Sequence, residues 1–199
     1  PEGVPSAVFA KALDALLETA VLNSPSMWSV VPPQDYEALA SKYLAGKPAV
    51  KEQTDRFYKA QVRVRELIAE QKKAGTEFFA CVGYGKQLMP LSASDRLSSD
   101  TIIHLGSSSL GASAAPLGEK LSPELITENS RLSPDGDVDA STGFMPDTTW
   151  YFKDQVHDDI AYNDAALSIA ARVLSDDSFR DVTSDPAFPQ FAQAQDNRK

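Results

Sequence analysis

Two segments of this chain read as buried strands, residues 76–85 (TEFFACVGYG) and residues 148–156 (TTWYFKDQV), with the short apolar run of residues 101–105 as a third at most. Residues 1–75 are helical in pattern. A free-standing α/β sheet needs more strands than this, and two or three do not cover both faces of three large helices. The strand count therefore points to an α/β fold with an incomplete sheet.

The chain has 199 residues, enough for one substantial core, or one core plus a helical cap. Its net charge is −9, and its basic residues form no run beyond Lys72-Lys73. That argues against nucleic acid or an anionic membrane as a partner, because phosphate binding needs basic clusters. No apolar stretch approaches the roughly 20 residues of a membrane-spanning helix. The one cysteine, Cys81, excludes an intrachain disulfide and reads as a small core residue. The chain opens at Pro1 without a signal-peptide pattern, and its compartment, cytoplasmic or secreted, stays open.

In chain order, Ser6 caps a helix over residues 6–23, with Phe9, Leu13, Leu16, Leu17 and Ala20 at helical spacing. Met27 and Trp28 lie in an apolar connection that reads as core packing, or as a lip over a cleft. A second helix spans residues 33–44, with Tyr36, Leu39, Ala40 and Tyr43 on one face. A third spans residues 48–74 and stops at Gly75. Val50, Phe57 and Val64 give it an apolar stripe, beside Ala60, Leu67 and Ile68. Residues 133–136 (SPDG) signal a β-turn. Asn163 caps a last helix to about Leu174, with Leu167, Ala170, Ala171 and Leu174 as its expected inner face.

After each strand-like segment stands a residue suited to proton chemistry. Asp100 heads the run TIIHL, and His157 follows the second strand at once. Open α/β sheets build their sites at strand ends. Histidine shuttles protons near neutral pH, and a carboxylate on its other ring nitrogen fixes the tautomer. Acid before histidine is also the order found in α/β-hydrolases. Asp95 and Asp147 are the fallback acids. The nucleophile should sit in G-x-S-x-G between a strand and a helix. Residues 106–111 (GSSSLG) come close, but Leu110 stands where glycine is needed, and the run follows the acid. Ser107, Ser108 and Ser109 read as turn serines, so this chain holds no nucleophile elbow.

Other constellations are weaker. Asp135, Asp137 and Asp139 alternate as in a calcium loop, but Ala140 replaces the required glycine and Pro146 the bidentate glutamate. They read as a polar turn. His104 reads as a packed or edge histidine. Two histidines and one cysteine, widely spaced, make no zinc pattern. No cofactor is expected.

Several of these pieces together carry a resemblance: NSPSMWSVVP (residues 23–32), FFACVGYG (78–85), SSDTIIHLGSSSLGA (98–112), LSPDGDVDASTGFMPDTTWYFKDQVH (132–157) and SDPAFPQF (184–191). The chain resembles the C-terminal half of bacterial α/β-hydrolases of the lipase/esterase kind, distantly akin to lecithin–cholesterol acyltransferase. In that family the acid stands in a D-G-x-V motif with serines a few residues on. Here that is Asp100-Thr101-Ile102-Ile103, then Ser107, with Thr101 in place of glycine. The catalytic histidine follows the last strand, matching His157.

The resemblance implies a helical lid or cap over residues 1–75 and the C-terminal strands of an α/β-hydrolase sheet over residues 76–199. It implies a serine hydrolase of esters or lipids, whose acid and histidine are Asp100 and His157. The serine, oxyanion hole and missing strands are then expected upstream, in an N-terminal half of the same protein or on a second chain. The chain would be a fragment, a processed product or a subunit. The alternative from another class is a non-catalytic binding or scaffold module.

Overall fold

The computed structural model describes residues 22–31, 33–87, 96–185 and 191–193. The helix expected over residues 6–23 falls almost wholly outside them. The chain divides into two compact units, Pro1–Glu70 and Gln71–Lys199.

The first unit is helical. A 3-10 turn, Met27–Val30, leads into helices Pro33–Tyr43 and Pro48–Lys73, the second of which runs past the unit's boundary. Trp28, Tyr36, Ala40, Leu44 and Tyr58 form the core. Tyr36 and Tyr58 stack at 3.7 Å between ring centroids, and Trp28 meets Tyr36 edge-on at 6.1 Å. The phenols find partners, as buried hydroxyls must. Tyr58 donates to the Trp28 carbonyl at 2.8 Å, and Tyr36 donates to Asp55 Oδ1 at 2.6 Å. Trp28 is thus committed to its own unit's core and is no lip, while Met27 is exposed.

Two expectations need correction here. Tyr43 is exposed, and Leu44 takes the buried position. On the long helix the inward stripe is Val50, Thr54 and Tyr58, whereas Phe57, Val64 and Leu67 are exposed. Contacts to the preceding helix select this row: Tyr58 stacks on Tyr36, and Thr54 Oγ1 lies 2.7 Å from the Tyr36 hydroxyl. The helix closes on Gly75 (φ +91°). Gly75 N–H donates to the Lys72 carbonyl and Thr76 N–H to the Gln71 carbonyl, the two bonds of a Schellman motif.

The second unit is mixed α and β. Its strands are β1 (Ala80–Tyr84), β2 (Lys86–Gln87), β3 (Ser98–Ser99), β4 (Ser113–Ala114), β5 (Arg131–Leu132), β6 (Val138–Asp139), β7 (Thr149–Lys153) and β8 (Ala192–Gln193). A short helix, Leu105–Ser108, precedes β4, and the helix Asp164–Ser175 follows β7. β1 pairs with β7 in parallel, from Ala80 opposite Thr149 to Tyr84 opposite Lys153. β2 and β3 are antiparallel, and the remaining strands form an antiparallel sheet in the order β4-β6-β5-β8. Residues 133–136 make the β5–β6 turn, closed by Gly136 N–H on the Ser133 carbonyl at 2.9 Å.

Core residues pack on both faces of the β1–β7 ribbon. Trp150 is fully buried on one face, with Phe79, Phe152, Ile169, Val173, Phe179 and Val182. Val82, Tyr84 and Tyr151 pack on the other with Leu105, Ala112, Val138 and Ala140. Cys81, expected in the core, is exposed.

The last helix begins as expected: Asn163 Oδ1 accepts from Ala165 N–H at 3.0 Å and Ala166 N–H at 3.1 Å. Its inner face differs from the expected one. Ala166 and Ile169 are buried and Val173 packs beside them, whereas Leu167 is 52% and Leu174 87% exposed. Two apolar stripes lie one residue apart on this helix. Arg172 helps select the first, because its guanidinium sits 4.3 Å over the Phe179 ring and pairs with Asp185.

Candidate active site

The parallel register brings the C-terminal ends of β1 and β7 side by side. From the end of β1 the chain turns at Gly85 (φ +86°) into β2. β3 returns antiparallel to β2, with Lys86 opposite Ser99 and Gln87 opposite Ser98. Serine hydroxyls tie this hairpin: Ser98 Oγ accepts from Gly85 N–H at 3.1 Å, and Ser99 Oγ donates to the Lys86 carbonyl at 3.0 Å. The next residue is Asp100, delivered to the end of β1 by a hairpin and not by the strand itself.

From β7 the chain turns at Asp154 (φ +60°), whose N–H donates to the Tyr84 carbonyl at 2.7 Å. His157 follows and opens a 3-10 turn, His157–Tyr162. Its backbone N–H donates to the Asp100 carbonyl at 2.7 Å. Its side chain meets the same residue, with Nδ1 2.7 Å from Asp100 Oδ2. Asp100 Oδ1 accepts from the N–H groups of Ile102 at 3.1 Å and Ile103 at 2.7 Å. One carboxylate oxygen is therefore anchored by its own loop, and the other holds the imidazole.

The two partners differ in solvation. The Asp100 side chain is 9% exposed and the His157 side chain 42%. An ionised carboxylate only accepts hydrogen bonds, so Nδ1 carries the proton and Nε2 is the basic nitrogen. This is an oriented general base: a buried acid behind, a half-exposed ring in front.

The His157 loop is fastened from the other side as well. Asn163 Nδ2 donates to Gln155 Oε1 at 2.7 Å while Asn163 Oδ1 caps the last helix. Sequence reasoning found Asn163 as a cap and missed its bond to Gln155, because nothing in a sequence says that a cap's second atom reaches a loop. It also missed the close packing of Gly83 beneath Asp100, although a glycine inside a strand pattern signals close backbone approach.

Among the described residues no serine, threonine or cysteine side chain hydrogen-bonds His157. Ser109 Oγ donates to the Leu105 carbonyl at 2.6 Å and accepts from Ala112 N–H at 2.9 Å. Ser108 Oγ donates to the Leu105 carbonyl as well, and Ser107 Oγ is buried. His104 Nδ1 caps the short helix by accepting from Gly106 N–H at 3.1 Å. Of the fallback acids, Asp147 pairs with Arg131 at 2.6 Å, and Asp95 lies outside the described residues.

The three alternating aspartates do not converge on one point: two share Lys153, and the third is held by backbone and serine donors. Asp135 pairs with Lys153, and Asp137 accepts from Ser133 and lies 3.3 Å from Lys153 Nζ. Asp139 Oδ1 accepts from the N–H groups of Arg131 and Ser141 and from Ser141 Oγ. Burial pushes the Asp139 carboxyl up, but those hydrogen bonds and one from Ser130 outweigh it and hold the group below the usual aspartate range. Among the described residues no three His, Cys, Asp or Glu side chains are grouped to hold a metal ion, and no helix is long and apolar enough to cross a membrane.

Comparison with protein-family models, with curated proteins and with solved structures finds no match to this chain.

Proposed function

We propose that Asp100 and His157 are the acid and the base of a serine hydrolase acting on a carboxylic ester, such as a lipid ester, with the nucleophilic serine on a segment outside these 199 residues. The observation that carries this reading is the 2.7 Å bond between a buried carboxylate and the Nδ1 of a half-exposed imidazole. Two further features support it. Acid and histidine lie at the same end of neighbouring parallel strands, in the order acid then histidine. Thr101 also adopts φ +88°, the left-handed backbone that glycine of a D-G-x-V motif supplies without strain.

In the reaction, His157 Nε2 takes the proton of the serine hydroxyl as its Oγ bonds to the ester carbonyl carbon. Asp100 stabilises the imidazolium that forms. The carbon–alkoxide bond then breaks, and His157 returns the proton to the leaving alkoxide. Water, activated by the same nitrogen, releases the acid from the acyl-serine. The exposed apolar residues of the helical unit, Met27, Phe57, Val64 and Leu67, suit a lid that handles apolar acyl chains.

The test is ester turnover by the natural polypeptide. His157→Ala and Asp100→Asn are each expected to lower kcat by about 10³–10⁴-fold against short-chain esters. Undiminished turnover in both variants overturns the reading. So does the absence of turnover and of any reactive serine in the natural protein, which leaves the binding-module alternative.

A further inference from the structure

We infer that Gly83 is a positioning residue of the Asp100–His157 pair: the bare backbone of β1 at this point lets the acid loop and the histidine loop close on each other. A Cβ added at Gly83 would lie 3.0 Å from Asp100 Cβ, 3.0 Å from the Gln155 carbonyl oxygen and 3.3 Å from Gln155 Cβ. Gly83 does not have a positive φ, so glycine is not needed there for backbone conformation. It is needed for space. Two of the three contacts come from the loop that carries His157, and one from the acid itself. Gln155 O and Asp100 Cβ belong to tethered segments, so neither withdraws as the end of a flexible side chain would. His157 N–H holds the Asp100 carbonyl, Asp154 N–H holds the Tyr84 carbonyl, and Asn163 holds the Gln155 amide.

A methyl group at position 83 therefore drives a wedge between the two loops. Relief requires a few tenths of an ångström from the two segments that the bond from His157 Nδ1 to Asp100 Oδ2 joins. Displacements of about 1 Å in a catalytic constellation cost about 10²-fold in rate.

The importance of this spacing for catalysis rests on the hydrolase reading; the geometry does not. The test is spectroscopic and uses the natural polypeptide that contains these 199 residues. ¹⁵N-histidine labelling reports the imidazole signals, and their loss in His157→Gln assigns the Nδ1–H of His157. In the wild-type chain that proton is expected as a downfield, hydrogen-bonded resonance. Gly83→Ala is expected to lose it or move it upfield while the His104 signals and the cooperative unfolding transition stay. Gly46→Ala, whose methyl meets nothing within 4 Å, is expected to leave it in place.

A folded Gly83→Ala chain with an unchanged Nδ1–H resonance overturns the inference alone. A wild-type chain without the resonance overturns both this inference and the hydrolase reading. A resonance that Gly83→Ala abolishes, in a protein whose complete form turns over no ester, upholds the inference and removes the hydrolase reading. Should Gly83→Ala fail to fold, the wild-type chain decides. An NOE between Gly83 Hα and Asp100 Hβ protons is then required, and its absence overturns the inference.

Discussion

His157 is bound to Asp100 twice, once through the ring and once through the backbone, each at 2.7 Å. The backbone bond fixes where the imidazole starts, and the carboxylate fixes which way it points. A side-chain pair on two mobile loops would lose rotamer entropy on every encounter. Here that cost is met by folding, because the loops are joined to each other and to β1.

Strain beside the acid gives the first prediction. Thr101 is β-branched and sits at φ +88°. A left-handed conformation costs such a residue about 1–2 kcal/mol, while glycine gives back roughly 0.5–1 kcal/mol through its freer unfolded chain. Thr101→Gly is therefore expected to be neutral or to stabilise by up to about 1.5 kcal/mol, read from chemical denaturation. A loss larger than about 1 kcal/mol would mean that the threonine side chain supports the loop.

The phase of the last helix gives the second. Ile169 is buried against Trp150 and Phe179, whereas Leu174 is 87% exposed. Ile169→Ala is expected to cost about 2–5 kcal/mol by cavity formation. Leu174→Ala should stay within about 0.5 kcal/mol. The reverse ranking would mean that the other stripe faces the core.

Much of this fold is legible from residue pattern alone. The Pro33, Pro48 and Asn163 helix starts, the Gly75 stop, the turn at residues 133–136 and the two five-residue strands all carry local signals. Asp100 and His157 were legible as candidates, since each reads as a polar group at a strand end. The two-residue strands were not, because a period of two cannot be read in two residues. The inner face of the last helix was misread for another reason. Leu167 and Leu174 are as apolar as Ile169 and Val173, but Ile169 is the residue that packs with Trp150 and Phe179, and tertiary packing decides between adjacent stripes. The placement of Cys81 failed in the same way: β propensity says strand, not which part of the strand is covered.

Alkaline pH gives the third prediction. Burial pushes the Tyr151 phenol up to about 12. Tyr84 is also raised, first by burial and then by the nearby carboxylates of Asp137, Asp135 and Asp154. A folded value above the unfolded value of about 10 means that the neutral form is favoured by folding. That contribution is complete below about pH 10 and is lost as the pH rises through the folded values. Unfolding is therefore expected to begin above about pH 10, with tyrosinate absorbance and loss of circular dichroism moving together. Tyr151→Phe should shift that limb to higher pH. Full tyrosine ionisation at pH 10 with the circular dichroism intact would contradict the buried phenols.

The measurement that tests the central claim most directly is mass spectrometry of the natural protein, isolated from its own cells and treated with a fluorophosphonate. The account predicts a polypeptide or complex larger than 21.5 kDa, with one adduct on a serine outside residues 1–199, and loss of that adduct in His157→Ala. A natural product of 21.5 kDa with no partner chain and no adduct would contradict it.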